Sequence, residues 1–381
     1  MLADVFGRPL RNLRLSVTDR CNLRCEYCMP EDDYKWLPRE DLLHFEEISS
    51  LVTTFIGVGV DRIRITGGEP LLRRNLSTLI GMLSQKAGLN DIALTTNGIL
   101  LADQIDALAA AGLRRITVSL DTLRADRFKA LTRSDELDRV HEGMRAAQRV
   151  FGRFKIDTVV IKGVNDDELC DLIEYGKQMG AEVRFIEYMD VGGATRWAVE
   201  RVLSRSDIVA QLTARYGAVD EIHEHSSAPA DRYRLPDGTT VGIISSTTQP
   251  FCSDCDRSRL TADGMWYLCL YATRGLDLRA AIRGGASSQQ IAEMLRRSWT
   301  ERADRGAEDR LALGDRRAFV PVNSLKKDPH LEMHTRGAGL DEVRAGFGDI
   351  ERPAPACVGI HQQRQFARRG NTAHVLADVV E

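Results

Sequence analysis

Leu13-Arg-Leu-Ser-Val17 runs straight into Thr18-Asp-Arg-Cys21-Asn-Leu-Arg-Cys25-Glu-Tyr-Cys28. An apolar, strand-like run ends on a polar turn, and three cysteines follow within eight residues. The same grammar recurs downstream. Residues 62–66 read as a second strand, ending at Gly67-Gly68-Glu69-Pro70, with a helical pattern over 76–87. Strand 92–96 ends at Asn97-Gly98 and precedes helix 102–111, and strand 115–119 ends at Leu120-Asp121 ahead of helix 137–150. Strand 156–161 pairs with helix 169–179, and strand 183–187 with helix 206–216; the first strand has its helix at 45–55. Six strand–helix units in succession predict an α/β fold with a parallel sheet and right-handed crossovers. Six units rather than eight predict a partial (β/α)6 barrel, with an open doubly wound sheet as the alternative, since sheet order is not written in the pattern. The polar and glycine motifs all follow strand ends, where such folds place chemistry.

From about residue 218 the alternation stops. A hairpin is predicted over 235–246 around Pro236-Asp237-Gly238, followed by a second cysteine group and a strongly charged stretch over 274–310. The expected organisation is a barrel over 1–217, a smaller C-terminal region over 218–336, and a tail of low order over 337–381, where Gly, Arg, Pro and Gln dominate.

The 381 residues are 43% apolar and 28% charged, an ordinary globular balance. Lys and Arg total 52 against 55 Asp and Glu, so nucleic acid is not an expected partner. No apolar run is long enough for a membrane span, and the first residues lack a signal-peptide pattern. The reading is cytoplasmic, where eight cysteines point to metal ligands or reactive thiols rather than disulfides.

Cys21, Cys25 and Cys28 form one triad, and Cys252, Cys255 and Cys269 another. Cys170, in an amphipathic stretch, reads as a small buried hydrophobe, and Cys357 has no neighbour to pair with. A closed zinc site wants four ligands, and neither triad offers a local fourth. Three thiolates on an iron–sulfur cube leave one iron open, which is useful in a catalytic site. The first triad is therefore read as iron–sulfur; the second, taken alone, stays open between zinc and iron–sulfur. Gly67-Gly68-Glu69-Pro70 lacks the features of a phosphate loop. Its glycines allow another molecule to approach the backbone, and Glu69 suits an ammonium group, with a solvated turn as the equal alternative. Arg14, Arg64, Lys155, Arg257 and Arg259 would suit a polyphosphate if they converge on one strand edge. The eight histidines show no metal or triad spacing and are read as solvated.

Cys-x-x-x-Cys-x-x-Cys after a first strand, with Gly-Gly-Glu-Pro after the second, resembles the radical S-adenosylmethionine superfamily. Leu13 to Cys21, Cys28-Met-Pro, Arg62 to Pro70, Thr95-Thr-Asn-Gly98 and Val118-Ser-Leu-Asp121 narrow the likeness. With Gly163-Val-Asn-Asp166, Phe185 to Met189 and Phe251 to Thr261, the chain resembles the GTP 3′,8-cyclases of molybdenum cofactor biosynthesis, a lyase family, over about residues 7–336. That resemblance implies two [4Fe–4S] clusters facing one cavity, held by the two triads. It places Tyr27, Gly68, Ser119 and Met189 on S-adenosylmethionine. It places Arg14, Arg64, Thr95, Lys155, Arg257, Ser258 and Arg259 on GTP. The implied reaction breaks S-adenosylmethionine to a 5′-deoxyadenosyl radical, which takes the C3′ hydrogen of GTP before ring closure onto C8. It further implies an external electron donor, a homodimer and hand-over to the next enzyme of molybdopterin synthesis. Two departures stand out. Asp157 replaces a more usual Asn. The family usually ends at a double glycine that reaches the active site, whereas here Gly337 precedes Ala338-Gly339 and the sequence runs on to Glu381, from which weak turnover is expected.

Overall fold

The computed structural model describes residues 2–30, 34–191, 197–223 and 227–313. The segment 326–336, the tail from 337 and Cys357 lie outside the described residues. Six strands, β1 (Asn12–Ser16), β2 (Arg62–Thr66), β3 (Asp91–Thr96), β4 (Arg115–Ser119), β5 (Phe154–Val160) and β6 (Ala181–Glu187), lie side by side in chain order, all parallel. An unreversed order is that of a barrel wall and not of a doubly wound sheet, whose order switches at its middle. Helices α1 (Phe45–Gly57), α2 (Leu76–Ser84), α3 (Leu101–Ala110), α5 (Leu137–Phe151), α6 (Leu169–Met179) and α7 (Arg205–Tyr216) fall close to their expected places.

An additional helix, α4 (Ala125–Thr132), was not signalled by the sequence. It buries only Phe128, Leu131 and Thr132, too few apolar anchors to show a helical period. It is nevertheless what the cysteine loop rests on: Arg24 and Glu26 donate their backbone N–H groups to the Thr132 and Leu131 carbonyls, each at 2.9 Å.

The remaining strands are β7 (Asp220–Ile222), β8 (Asp231–Arg234), β9 (Thr240–Ile244), β10 (Arg257–Leu260), β11 (Met265–Tyr267) and β12 (Leu276–Asp277). Helices α8 (Leu278–Arg283), α9 (Ser288–Thr300) and α10 (Gly306–Leu311) follow. The expected hairpin is β8–β9. These strands extend the barrel wall at both edges: β9 adds in parallel beside β6, and β10 adds in parallel beside β1. Among the described residues one sheet of twelve strands results, in the order β12-β11-β10-β1-β2-β3-β4-β5-β6-β9-β8-β7.

Side-chain parity decides the two faces. Leu13, Leu15, Ile63, Ile65, Leu94, Ile116, Val118 and Ile156 pack outward under the helices and are buried. The alternate positions carry Arg14, Arg64, Thr95, Thr117, Ser119, Lys155 and Asp157. In the sheet register Arg259, Arg14 and Arg64 stand side by side on β10, β1 and β2. The inner face is thus polar and charged, so it is a site and not a packed core.

Candidate functional site

The turn after β1 gathers the first triad. The Cys25 carbonyl accepts the N–H groups of Cys28 at 3.0 Å and Met29 at 2.8 Å, curling the chain so that the triad lines one cavity of about 100 Å³. The double glycine after β2 lets that loop dock. A Cβ on Gly68 would lie 2.3 Å from the Arg20 carbonyl oxygen, and one on Gly67 would lie 2.6 Å from that of Thr18. With no side chains in the way, Gly68 N–H donates to Thr18 at 2.9 Å and Glu69 N–H donates to Arg20 at 2.7 Å. The glycines therefore admit the chain's own cysteine loop.

Glu69 is buried, not solvated. Its carboxylate accepts the Leu71 N–H at 2.9 Å, the Thr96 hydroxyl at 2.8 Å and the Asn97 N–H at 2.8 Å. Burial still pushes its pKa up to about 7. Across the cavity Asp121 accepts the Tyr27 hydroxyl and the Val159 N–H, the latter at 2.9 Å, and burial raises it to about 6. Burial also raises the Cys21 thiol to about 12 and the Cys25 thiol well above its ordinary value. A cavity in which Glu69, Asp121, Cys21 and Cys25 are all pushed toward neutrality is one short of positive charge. Thiolate binding to a metal supplies that charge.

Cys252, Cys255 and Cys269 line a second cavity of about 70 Å³ with Arg14, Arg257 and Arg259. Here the field is different. Burial raises Cys255, but the guanidinium groups of Arg257 and Arg302 overcome it and bring the thiol to about 6. Arg257 Nε donates to Cys255 Sγ at 3.4 Å and its guanidinium lies 4.5 Å from the Phe251 ring centre. Cys252 and Cys269 are raised by burial.

Each cavity is lined by three cysteines and by no histidine. Among the described residues no group of three or more His, Cys, Asp or Glu is set to hold a single metal ion. A closed zinc site draws four donors to within about 2.3 Å of one ion. An iron–sulfur cube instead spreads its thiolates over different irons. Three thiols at each cavity suit the three-thiolate anchorage of such a cube.

The five cations line two cavities, although Arg259, Arg14 and Arg64 are register neighbours. Arg14, Arg257 and Arg259 belong to the second cavity, while Arg64 and Lys155 line a third, of about 550 Å³, toward the amino ends of β4 to β6. Arg64 bridges toward the first cavity, donating to the Thr95 hydroxyl at 3.4 Å and the Thr117 hydroxyl at 3.3 Å. Burial and neighbouring guanidinium groups lower Lys155 to about 7 and Arg64 to about 9, so positive charge is crowded there. The sequence reading missed Arg115 and Arg232, which join the third cavity. It also missed Arg184, the register partner of Asp157 on β6. Inward parity on the strands was the available signal for Arg184.

Tyr27, Gly68 and Ser119 line the first cavity, and so does Thr95, which the resemblance places on GTP; Met189 lines the second and packs in one apolar cluster with Tyr27. Ser258 is not brought in. It sits between Arg257 and Arg259 on the opposite face of β10, and its buried hydroxyl has no hydrogen-bond partner. Asp157, also in the first cavity, is buried with neither carboxylate oxygen hydrogen-bonded. Two further readings need correction. His141 is not solvated but half-buried, with Nδ1 at 2.7 Å from the Tyr175 hydroxyl, whereas His44, at the start of α1, is exposed. Cys170 is half-buried against the core, beside Tyr216.

Two family models match the chain. The Radical SAM superfamily model matches residues 15–176, and the Molybdenum Cofactor Synthesis C model matches residues 181–308. The GTP 3′,8-cyclase 3 of Mycobacterium bovis is 57% identical over 341 residues, covering 88% of this chain and 90% of that protein. The GTP 3′,8-cyclase 1 of Mycobacterium tuberculosis is 56% identical over 339 residues, 88% of this chain and 94% of that one. The GTP 3′,8-cyclase of Acidothermus cellulolyticus is 44% identical over 318 residues, 81% and 88% of the two chains. Among solved structures, Streptococcus suis SuiB bound to S-adenosylmethionine superposes with a TM-score of 0.52 at 14% identity. That match spans 78% of this chain and 66% of SuiB, just under two thirds of its length. At that identity the likeness concerns the fold.

Proposed function

The chain belongs to the GTP 3′,8-cyclase family of the radical S-adenosylmethionine superfamily, and from that premise we propose that it converts GTP to (8S)-3′,8-cyclo-7,8-dihydroguanosine 5′-triphosphate. This is the first step of molybdenum cofactor biosynthesis. The observation that carries the reading is the pair of cysteine triads on one polar sheet face, with inward arginines on the adjacent strands β10, β1 and β2.

Cys21, Cys25 and Cys28 would hold one [4Fe–4S] cluster and Cys252, Cys255 and Cys269 a second. When bound, the first supplies an electron and an open iron for S-adenosylmethionine, from which the hydrogen-abstracting 5′-deoxyadenosyl radical comes. The protein's own work is placement. Glu69, buried and prepared by three donors, accepts an amino group at the rim of the first triad. Gly68 offers backbone there, and Ser119 with its register neighbour Asp157 offers acceptors on the next strands. Tyr27, held by Asp121, and Met189 form the apolar wall that keeps water from the reacting carbons. Arg14, Arg257 and Arg259 face the nucleotide from the second triad. Arg64 and Lys155, with Thr95 between the cavities, take its phosphates, since crowded guanidinium and ammonium groups gain most from a polyanion. Ser258 contributes through its backbone at most.

No described helix is long and apolar enough to cross a membrane. We place the chain in the cytoplasm as a homodimer, served by an external electron donor and passing its product to the next enzyme of the pathway. The test is an anaerobic assay with GTP, S-adenosylmethionine and dithionite, read by mass analysis. A cyclised nucleotide with one 5′-deoxyadenosine per turnover is expected; 5′-deoxyadenosine without any GTP-derived product would overturn the assignment.

A further inference from the structure

Ahead of β1 the chain folds back on itself, with Ala3 bridged to Pro9 and Gly7 at φ +80°. Asp4 sits inside this fold. It accepts the backbone N–H groups of Phe6 and Arg8 at 2.9 Å each, and the Arg8 guanidinium at 2.6 Å. Its other neighbour is Arg302, at 3.4 Å, from the end of α9. The Asp4 side chain is 0% exposed, that of Arg8 2% and that of Arg302 1%.

Both arginines also reach the second triad. Arg8 Nη1 donates to the Cys252 carbonyl at 2.8 Å, and Arg302 Nη1 donates to the Cys255 carbonyl at 2.8 Å. Trp299 braces the pair: its indole N–H donates to the Arg8 carbonyl at 3.0 Å, and the Arg302 guanidinium lies 4.5 Å from its ring centre. One buried carboxylate at the start of the chain thus organises the grip on two cysteines some 250 residues later.

The charges do not balance locally. Two guanidinium groups face one buried carboxylate, and Asp304, 3.6 Å from Arg302 with its side chain 34% exposed, offsets the surplus weakly. Arg8 Nη2 and Arg302 Nε are buried and donate no hydrogen bond. Burying surplus charge is costly unless an opposite charge lies close by. The surplus lies directly against the backbone of the second triad, on the Cys252 and Cys255 carbonyls.

We propose that Asp4, Arg8 and Arg302 form a cationic clamp that positions Cys252 and Cys255 and raises the reduction potential of the cluster they hold. The inference rests on the two-cluster reading above. Its physical basis is simple: a fixed positive charge favours the reduced, more negative state of a cluster, and hydrogen bonding around the ligands tunes it further. These are positioning residues, since none touches substrate.

The test uses the full chain, reconstituted without oxygen, as native protein, Arg302→Gln and Arg302→Lys. Iron content, loss of iron to a chelator and the midpoint of each cluster by electron paramagnetic resonance are read. Arg302→Gln should move only the second midpoint to more negative values and release that cluster roughly tenfold faster, the scale of one charged hydrogen bond. Arg302→Lys, which keeps the charge and loses the planar fork, should hold the midpoint near native while still shedding iron faster. Native midpoints in both variants, or equal shifts at both clusters, would overturn the clamp. Should Arg302→Gln fail to fold, the lysine variant decides alone: faster loss confined to the second cluster supports the clamp, and native-like loss refutes it. A native chain that takes up only one cluster would instead overturn the two-cluster reading, and the clamp with it, before any variant is compared.

Discussion

Replacing Gly68 by alanine should unseat the first triad. The added Cβ would lie 2.3 Å from the Arg20 carbonyl oxygen, 2.5 Å from its carbon and 2.8 Å from the Asp19 carbonyl oxygen. All three obstacles are backbone, so no side chain can swing aside. Relief to an ordinary contact of 3.4 Å needs the two loops to part by about 1 Å. The loops are held by Gly68 N–H to Thr18 at 2.9 Å and Glu69 N–H to Arg20 at 2.7 Å. Opening them by about 1 Å takes both past the useful hydrogen-bond range. Two lost backbone hydrogen bonds at about 1 kcal/mol each, with about 1–2 kcal/mol of residual strain, give a cost of about 3–4 kcal/mol. The strain falls one residue from Cys21, so the cluster should register it first. Urea unfolding of the iron-free protein measures the cost, and iron retained by the first triad measures its local consequence. A Gly68→Ala chain within about 0.5 kcal/mol of native, the ordinary tolerance of a surface change, and with native iron retention would refute the docking argument.

The two triads should separate in function. Cys21→Ala should abolish 5′-deoxyadenosine formation, whereas Cys255→Ala should keep it while losing cyclised nucleotide; iron analysis should fall from about eight to about four per chain in either variant, as two four-iron cubes require. Tyr27→Phe should cost about 1–3 kcal/mol, because it strips a donor from the buried Asp121 carboxylate, measurable by urea unfolding of the iron-free chain. Lys155→Gln should raise KM for GTP roughly tenfold to a hundredfold, the worth of one buried charged contact to phosphate. Burial depresses the pKa of His141 below its ordinary 6.5, so the fold holds the neutral ring. Its contribution is present above pH 6.5 and is lost as pH falls below it. His141→Gln should therefore lose less stability than native between pH 7.5 and pH 5.5, checked by urea midpoints.

Much of this site could be read from the chain because the features that mark it are local. Strand–turn–helix alternation, the spacing of Cys21, Cys25 and Cys28 and the double glycine after β2 are each contained in short windows, where backbone sterics and ligand reach decide the outcome. Even Glu69 was singled out by its place at a strand end. Its burial, however, depends on Thr96 and Asn97 from the next unit. Helix α4 was missed since two or three apolar anchors carry no period.

Sequence alone determined the repeated units, the two sets of thiols and the basic residues near them. Tertiary structure decided who stands beside whom. Strand β10 joins β1 although some 240 residues separate them, and that pairing carries the second triad to the polar face where Arg14 stands. The same register splits the five basic residues between two cavities, turns Ser258 to the opposite face and sets Arg8 and Arg302 on the carbonyls of Cys252 and Cys255. The reason is that strand neighbours are chosen by the burial of whole faces, an energy summed over distant residues, while spacing within a turn is set by bonds that never leave it.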